Sequence, residues 1–330
     1  MKDVFASSPV ALLGDPDDDV AVRPAVTYSA GDRVFRRVAT AAASVCLVLV
    51  GLTFVYLANE ARPALRSSGY LNFFTASVWS PGTGDFGVFG LLVGTITIAA
   101  VALVVAVPVA LGMALFINEY APGRVRAVLT SVIDLLAALP SLLFGMWGLF
   151  TFKDELMPVS RWIAEHLSVI PFFQLKSVDA SLTQSSFIVG VVVAFMIIPI
   201  VTSVAREVMA RVPREQCEGA LALGGTRWGM VRTVILPFGR SGIVGAVLLG
   251  FGRALGETIA VALLINLVYQ ANLHVLETGS GSIAALIATK FGEAGSIERS
   301  GLAAAGLALF ALTLLVNLAA RRIVNQTRAS

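Results

Sequence analysis

Six stretches of this chain are apolar over a length that crosses a lipid bilayer: Val38–Ala58, Phe86–Ile117, Ala127–Phe150, Phe187–Ala205, Ser241–Val268 and Gly301–Ala320. A hydrocarbon core about 30 Å thick needs about 20 residues of helix. Helix is the natural solution for such stretches, because lipid leaves no partner for an unpaired backbone group. The second stretch runs 32 residues without a charge, which is too few for two spans and a turn. It reads as one long tilted helix, with Pro108 as the place where it could bend. The pattern therefore predicts an all-α integral membrane protein with six transmembrane helices.

The intervening segments are patterned too. Residues 59–85 carry a Trp79-Ser80-Pro81-Gly82-Thr83-Gly84 turn. Residues 151–186 hold an amphipathic piece at Met157–Leu167, suited to an interface. In residues 269–300 the apolar run Ile283–Ala288, bracketed by Gly281 and Gly292, is too short to span and is expected to pack at the mouth of the bundle. Trp79, Trp147 and Trp162 read as interfacial anchors. Residues 206–240 are dense in charge yet keep a helical period, with Pro213 at a helix start and Gly224-Gly225-Thr226 as a break. This predicts a helical hairpin on the membrane surface, ended by Pro237.

Charge decides the orientation. Of the 24 Lys and Arg, sixteen fall in the segments on the N-terminal side of the membrane, seven in the opposite segments, and Arg253 lies within a span. The positive-inside rule then places both termini in the cytoplasm. Residues 1–35, with Asp15, Asp17, Asp18 and Asp19, read as an acidic, disordered cytoplasmic tail. Residues 36–325 form the transmembrane domain, and 326–330 a short C-terminal tail. With 57% apolar and only 14% charged residues, a soluble globular domain is excluded. The net charge of +3 needs no nucleic-acid partner, and a hairpin tethered between two spans favours docking to another protein over DNA. Cys46 and Cys217 predict no disulfide, and His166 and His274 lie apart from Cys or carboxylate clusters, so no metal site is expected. The chain contains no phosphate-binding Gly-x-x-x-x-Gly-Lys-Ser/Thr loop and no protease or transferase constellation. The reading is a non-enzyme without a cofactor of its own.

Two charges interrupt the fifth stretch. A charge at the bilayer centre costs about 2.5–3.5 kcal/mol on insertion scales, so such residues face a protein interior or a water-filled route. The spacing of Arg253 and Glu257 puts both on one face of a continuous helix. One reading is an anion route, with the Arg fork matching phosphate oxygens and Glu257 accepting the proton that phosphate carries and sulfate lacks. The other is a pair that neutralises itself. Asp134, in the third stretch, reads as a partner for Arg124 or Arg126, or as a neighbour of the path. Gly252 and Gly256 allow close helix approach.

The hairpin reads Glu218-Gly219-Ala220-Leu221-Ala222-Leu223-Gly224 and closes Val234-Ile235-Leu236-Pro237. It resembles the EAA loop of ABC importer permeases: Glu218, Ala220, Gly224, Leu236 and Pro237 fall on the pattern, while Gly219 and Val234 replace an Ala and an Ile. Further segments extend the resemblance: Phe86-Gly87-Val88-Phe89-Gly90, Asn118-Glu119-Tyr120-Ala121-Pro122, Leu139-Pro140-Ser141, Gly145-Met146-Trp147-Gly148 and Gly252–Thr258. Together, over roughly residues 70–325, these are similar to the PstC-type permease subunits of phosphate-specific ABC transporters. The resemblance implies a type I ABC importer permease (MetI-like) core with an added N-terminal span, in a bacterial cell membrane. It implies inorganic phosphate as cargo, Arg253 and Glu257 on its path, and an ATPase-coupling loop containing Glu218, Gly219, Ala220, Gly224, Leu236 and Pro237. The implied partners are a homologous PstA-like permease, two cytoplasmic PstB-like ATPases carrying ATP and Mg, and an extracytoplasmic PstS-like phosphate-binding protein. Permeation of sulfate, molybdate or phosphonate, the sister permease subunit, and a membrane scaffold or signalling protein stand as alternatives.

Overall fold

The computed structural model describes residues 30–176 and 180–329, with side chains for all but 320, 321 and 323–329. The acidic tail up to residue 29 lies outside the described residues. From Ala30 the chain is already helical.

The elements follow in order as α1 (Ala30–Ser68), α2 (Tyr70–Thr75), β1 (Trp79–Ser80), β2 (Asp85–Phe86), α3 (Phe89–Leu115), α4 (Gly123–Ala138), α5 (Ser141–Trp147) and α6 (Lys153–His166). Next come α7 (Ser186–Ala210), α8 (Arg214–Ala222), α9 (Arg227–Met230), α10 (Leu236–Leu255), α11 (Ile259–Leu264), α12 (Ile283–Lys290) and α13 (Ser296–Ala329). Wide π-turns at Phe116–Tyr120, Gly148–Phe152 and Val231–Ile235 extend α3, join α5 to α6 and join α9 to α10. Among the described residues, five helices are long and apolar enough to cross a membrane, and a sixth crossing is made if the bent pair Gly123–Ala138 and Ser141–His166 counts as one span.

The chain forms two units, Met1–Thr53 and Phe54–Ser330. The described part of the first is the N-terminal part of α1, with Leu47, Val48 and Leu49 more than half exposed. Such a surface suits lipid. The second unit is built around α3 and α7. Ala99, Ala102, Ala106, Ala110 and Ala114 are fully buried along one face of α3. On α7, a Cβ at Gly190 would lie 2.6 Å from Val101. Small residues let two helices approach closely, which is how membrane helices associate when lipid removes the hydrophobic drive. Pro108 lies inside α3 without breaking it.

Two breaks in regular helix position the candidate site residues. The first is at Leu139-Pro140, where the third stretch turns by 90°. A residue before proline is pushed out of the α region, and Leu139 is extended at φ −65°, ψ 137°. The second is at Gly256–Thr258, so the stretch Ser241–Val268 is not one helix: α10 stops at Leu255 and the six-residue α11 follows. A further break, expected at Pro237, is absent. Pro237 does not end the hairpin but sits in the first turn of α10, and Arg227–Leu255 runs as one spanning helix. Its missing N–H falls directly after a π-turn, where the ladder shifts by one residue and the helix runs on.

At one end of the second unit, β1 and β2 form a short antiparallel ribbon with Trp79 opposite Phe86. Trp79 is buried there. It lies 4.9 Å from the Phe86 ring and stacks at 6.1 Å on Tyr269, and its Nε1 donates to Glu298 at 3.3 Å. It is therefore a core residue rather than an exposed interfacial anchor, whereas Trp162 is half exposed. The short apolar helix expected near 283–288 is α12, with Ile283 and Leu286 fully buried. The opposite end carries the α8–α9 hairpin.

Candidate functional site

Arg253 and Glu257 part company at the second break. Arg253 is exposed near the end of α10, on a stripe with Gly245 and Leu249 at four-residue spacing. A Cβ at Gly245 or Gly252 would meet nothing within 4 Å, so this stripe is a smooth open face carrying one cation. Glu257 is only 7% exposed, and its carboxylate accepts from the backbone N–H of Ala260 at 3.3 Å, capping α11. Among the described residues the two make no ion pair. The helix ends between them, so the one-face geometry of a continuous helix does not arise.

The local chemistry explains the break. Gly256 is a weak helix former, and the Thr258 hydroxyl donates to the Gly256 carbonyl at 3.0 Å, competing for it with the helix ladder. The buried carboxylate of Glu257 then supplies the acceptor that a new helix start requires. The short α11 packs on α5: a Cβ at Gly145 would lie 2.9 Å from the Cα of Ala260, and one at Gly148 would strike Val192. The two broken stretches thus meet at Gly145 and Ala260. Asp134 is exposed on α4 and pairs with neither Arg124 nor Arg126. The Arg126 side chain is turned to backbone carbonyls instead.

The hairpin is the second functional element. Glu218, Gly219 and Ala220 lie in α8, Gly224 follows at φ +85°, and Leu236 and Pro237 open α10. The left-handed backbone at Gly224 is a conformation that glycine adopts without strain. Thr226 caps α9 by accepting from Gly229 N–H at 3.0 Å. Cys217 and Ala220 pack into the cluster of Ala110, Ala114, Val201, Met209 and Val231, which seats one face of α8 on the bundle. Burial pushes the Cys217 thiol up, and the negative charges of Glu119 and Glu218 add to the shift. The other face is open: Leu223 is 92% and Trp228 59% exposed. Sequence reasoning passed over Trp228, which is an unpaired aromatic on a charged loop.

The model of the "Binding-protein-dependent transport system inner membrane component" family matches residues 106–329. The chain belongs to that family. Among its relatives, "Phosphate transport system permease protein PstC 2" of Mycobacterium tuberculosis is 40% identical over 308 residues, covering 92% of this chain and 94% of the relative. The PstC of Haemophilus influenzae is 35% identical, covering 89% and 93%. Of solved structures, a chain from a bacterial ABC transporter involved in import of the acidic polysaccharide alginate overlays with a TM-score of 0.56 at 16% identity, covering 90% of this chain and 98% of that one. That likeness concerns the fold alone. Membership makes this chain an integral membrane permease of an ABC importer, a transport subunit that works with a partner permease and ATPase subunits.

Proposed function

We propose that this chain is the PstC-type permease subunit through which inorganic phosphate enters the cytoplasm, with both termini on the cytoplasmic side. The observation that carries the cargo is the run of phosphate permease relatives, 33–40% identical over most of both chains. The exposed Arg253 stripe is the feature of this chain that fits it. A guanidinium keeps its charge and presents paired donors to phosphate oxygens, and on an open helix face it is available to a passing anion. The buried position of Glu257 favours Arg253 as the residue that meets the anion, with Glu257 shaping the break beside it. The exposed side of the α8–α9 hairpin, with Leu223 and Trp228, suits docking to an ATPase subunit that carries ATP and Mg, and the chain itself has no P-loop sequence. A homologous second permease and an extracytoplasmic phosphate-binding protein complete the reading.

The test is phosphate uptake by proteoliposomes holding this chain with its partners, compared with Arg253→Gln. A charge-assisted hydrogen bond contributes about 1.5–3 kcal/mol, so uptake is expected to fall tenfold or more while the complex still assembles. Unchanged uptake would remove Arg253 from the path. Uptake of sulfate or molybdate but not phosphate by the wild type would overturn the cargo.

A further inference from the structure

At the hairpin end, three spanning segments are tied by a closed ring of side-chain hydrogen bonds. Arg126, in the first turn of α4, donates from Nε to the carbonyl of Ile117 at 2.9 Å and from Nη2 to the carbonyl of Asn118. Both carbonyls belong to the π-turn that ends α3, where backbone acceptors lack helical partners. The Asn118 amide in turn donates to the carbonyl of Arg206 on α7 at 2.8 Å. Arg206 returns to α4, its Nη1 donating to the Thr130 hydroxyl at 3.1 Å. Arg126 and Thr130 are one turn apart on the same face of α4. The ring therefore runs from α4 to α3, to α7 and back to α4. Two of its members are permanent cations, and three of its four acceptors are main-chain carbonyls, so it fixes helix position and not merely side-chain packing.

The ring sits between the hairpin and the broken stretches. Three residues separate the end of α7 at Ala210 from the start of α8 at Arg214. The end of α3 is near enough for the charge of Glu119 to act on Cys217 of α8. From Arg126, α4 runs on to Ala138, about 18 Å at 1.5 Å per residue. There Leu139-Pro140 turns the chain by 90° into α5, and Gly145 of α5 rests on Ala260 of α11, just beyond Arg253 and Glu257.

We propose that α4 is a lever that carries displacement of the α8 hairpin to the Arg253 break, and that Asn118, Arg126, Thr130 and Arg206 are the positioning residues that fix its base. The Nε of Arg206 is buried without a hydrogen-bond partner. That is a donor which a second arrangement of the same ring can satisfy, as a two-state element requires. The ring is absent from any sequence pattern because its donors choose carbonyls, which every residue carries.

This inference rests on the transport reading, and the experiment separates the two. The assembled complex is reconstituted with Arg126→Ala, Asn118→Ala and Thr130→Val, and with Arg124→Ala as the control, since Arg124 is exposed and makes none of the ring's bonds. Basal ATP hydrolysis and assembly are expected to persist. Phosphate uptake and the stimulation of hydrolysis by phosphate-loaded binding protein fall about tenfold in the first two variants and about threefold in Thr130→Val. Should Arg126→Ala fail to assemble, Arg126→Lys, which keeps a single donor, and Thr130→Val carry the same expectation. Wild-type stimulation and uptake in all ring variants, or basal hydrolysis falling in step with uptake, would overturn the lever. A second readout needs no cargo: maleimide labelling of Leu139→Cys, in a Cys46→Ser, Cys217→Ser background, with and without ATP. Its rate is expected to change at least threefold with ATP and to stop responding in Arg126→Ala. An ATP response that survives Arg126→Ala also overturns the lever. If the wild type takes up no phosphate while the labelling response still depends on the ring, the cargo reading fails and the lever stands.

Discussion

The two helix breaks, whose following helices α5 and α11 pack together, are made by different chemistry. At Leu139-Pro140 the break is subtractive: proline removes a donor, clashes with the residue before it and bars regular helix, while packing beyond it holds the 90° angle. At Gly256–Thr258 nothing forbids helix. The break is additive, built from a weak helix former, a hydroxyl that takes the Gly256 carbonyl, and a buried carboxylate that starts α11 anew. A subtractive break persists whatever surrounds it. An additive break depends on its cap and on the packing that buries the cap, so it is the one that substitution should move most.

Substitutions at three positions press on that difference, in addition to those at Arg253 and in the ring. The largest effect is expected from Gly145→Val, which drives a side chain into the backbone of α11, 2.9 Å from the Cα of Ala260. Overpacking of this kind costs about 1–3 kcal/mol. Thermal melting of the purified complex should drop and uptake should fall with it, and an unchanged melting curve would show that α5 and α11 are free to separate. Next comes Glu257→Ala, which removes the α11 cap at about 1–2 kcal/mol. Glu257→Gln keeps an amide oxygen for the Ala260 N–H, so it should recover most of the stability. Equal loss in both variants would mean that the charge, not the cap, is what matters. The smallest effect is expected from Pro140→Ala. It costs about 0.4–1 kcal/mol through the freer unfolded chain, while the bend stays held by Gly145 and Gly148 against α11 and Val192. A larger destabilisation would make the proline, and not the packing, the holder of the turn.

Some of this was legible beforehand and some was not, for definite reasons. The spans around α1, α3, α7 and α13 follow from length and apolar composition, because lipid permits few alternatives. The hairpin, its turn at Gly224 and the short α12 follow from glycine, proline and period. The fifth stretch misled because its composition is apolar from Ser241 to Val268, and composition does not register that a glycine, an acid and a threonine in succession can start a second helix. Trp79 misled in the same way. An aromatic in an exposed-looking loop reads as an anchor until Phe86, Tyr269 and Glu298 are brought to it from elsewhere in the chain. Pro237 was read as a stop, when the π-turn before it made it a beginning.

The sequence by itself determined that this is a multi-span helical membrane protein, which loop forms a helical hairpin, and that a cation lies in an apolar stretch. Each is a matter of local composition judged against a low-dielectric solvent. Only the tertiary structure decided that Arg253 faces outward while Glu257 is buried at a helix start, that the two broken stretches touch through Gly145 and Ala260, and that Arg126 and Asn118 close a ring across α3, α4 and α7. Those outcomes turn on where backbone carbonyls and neighbouring Cα atoms lie in space. Backbone groups are the same in every residue, so no residue pattern announces them.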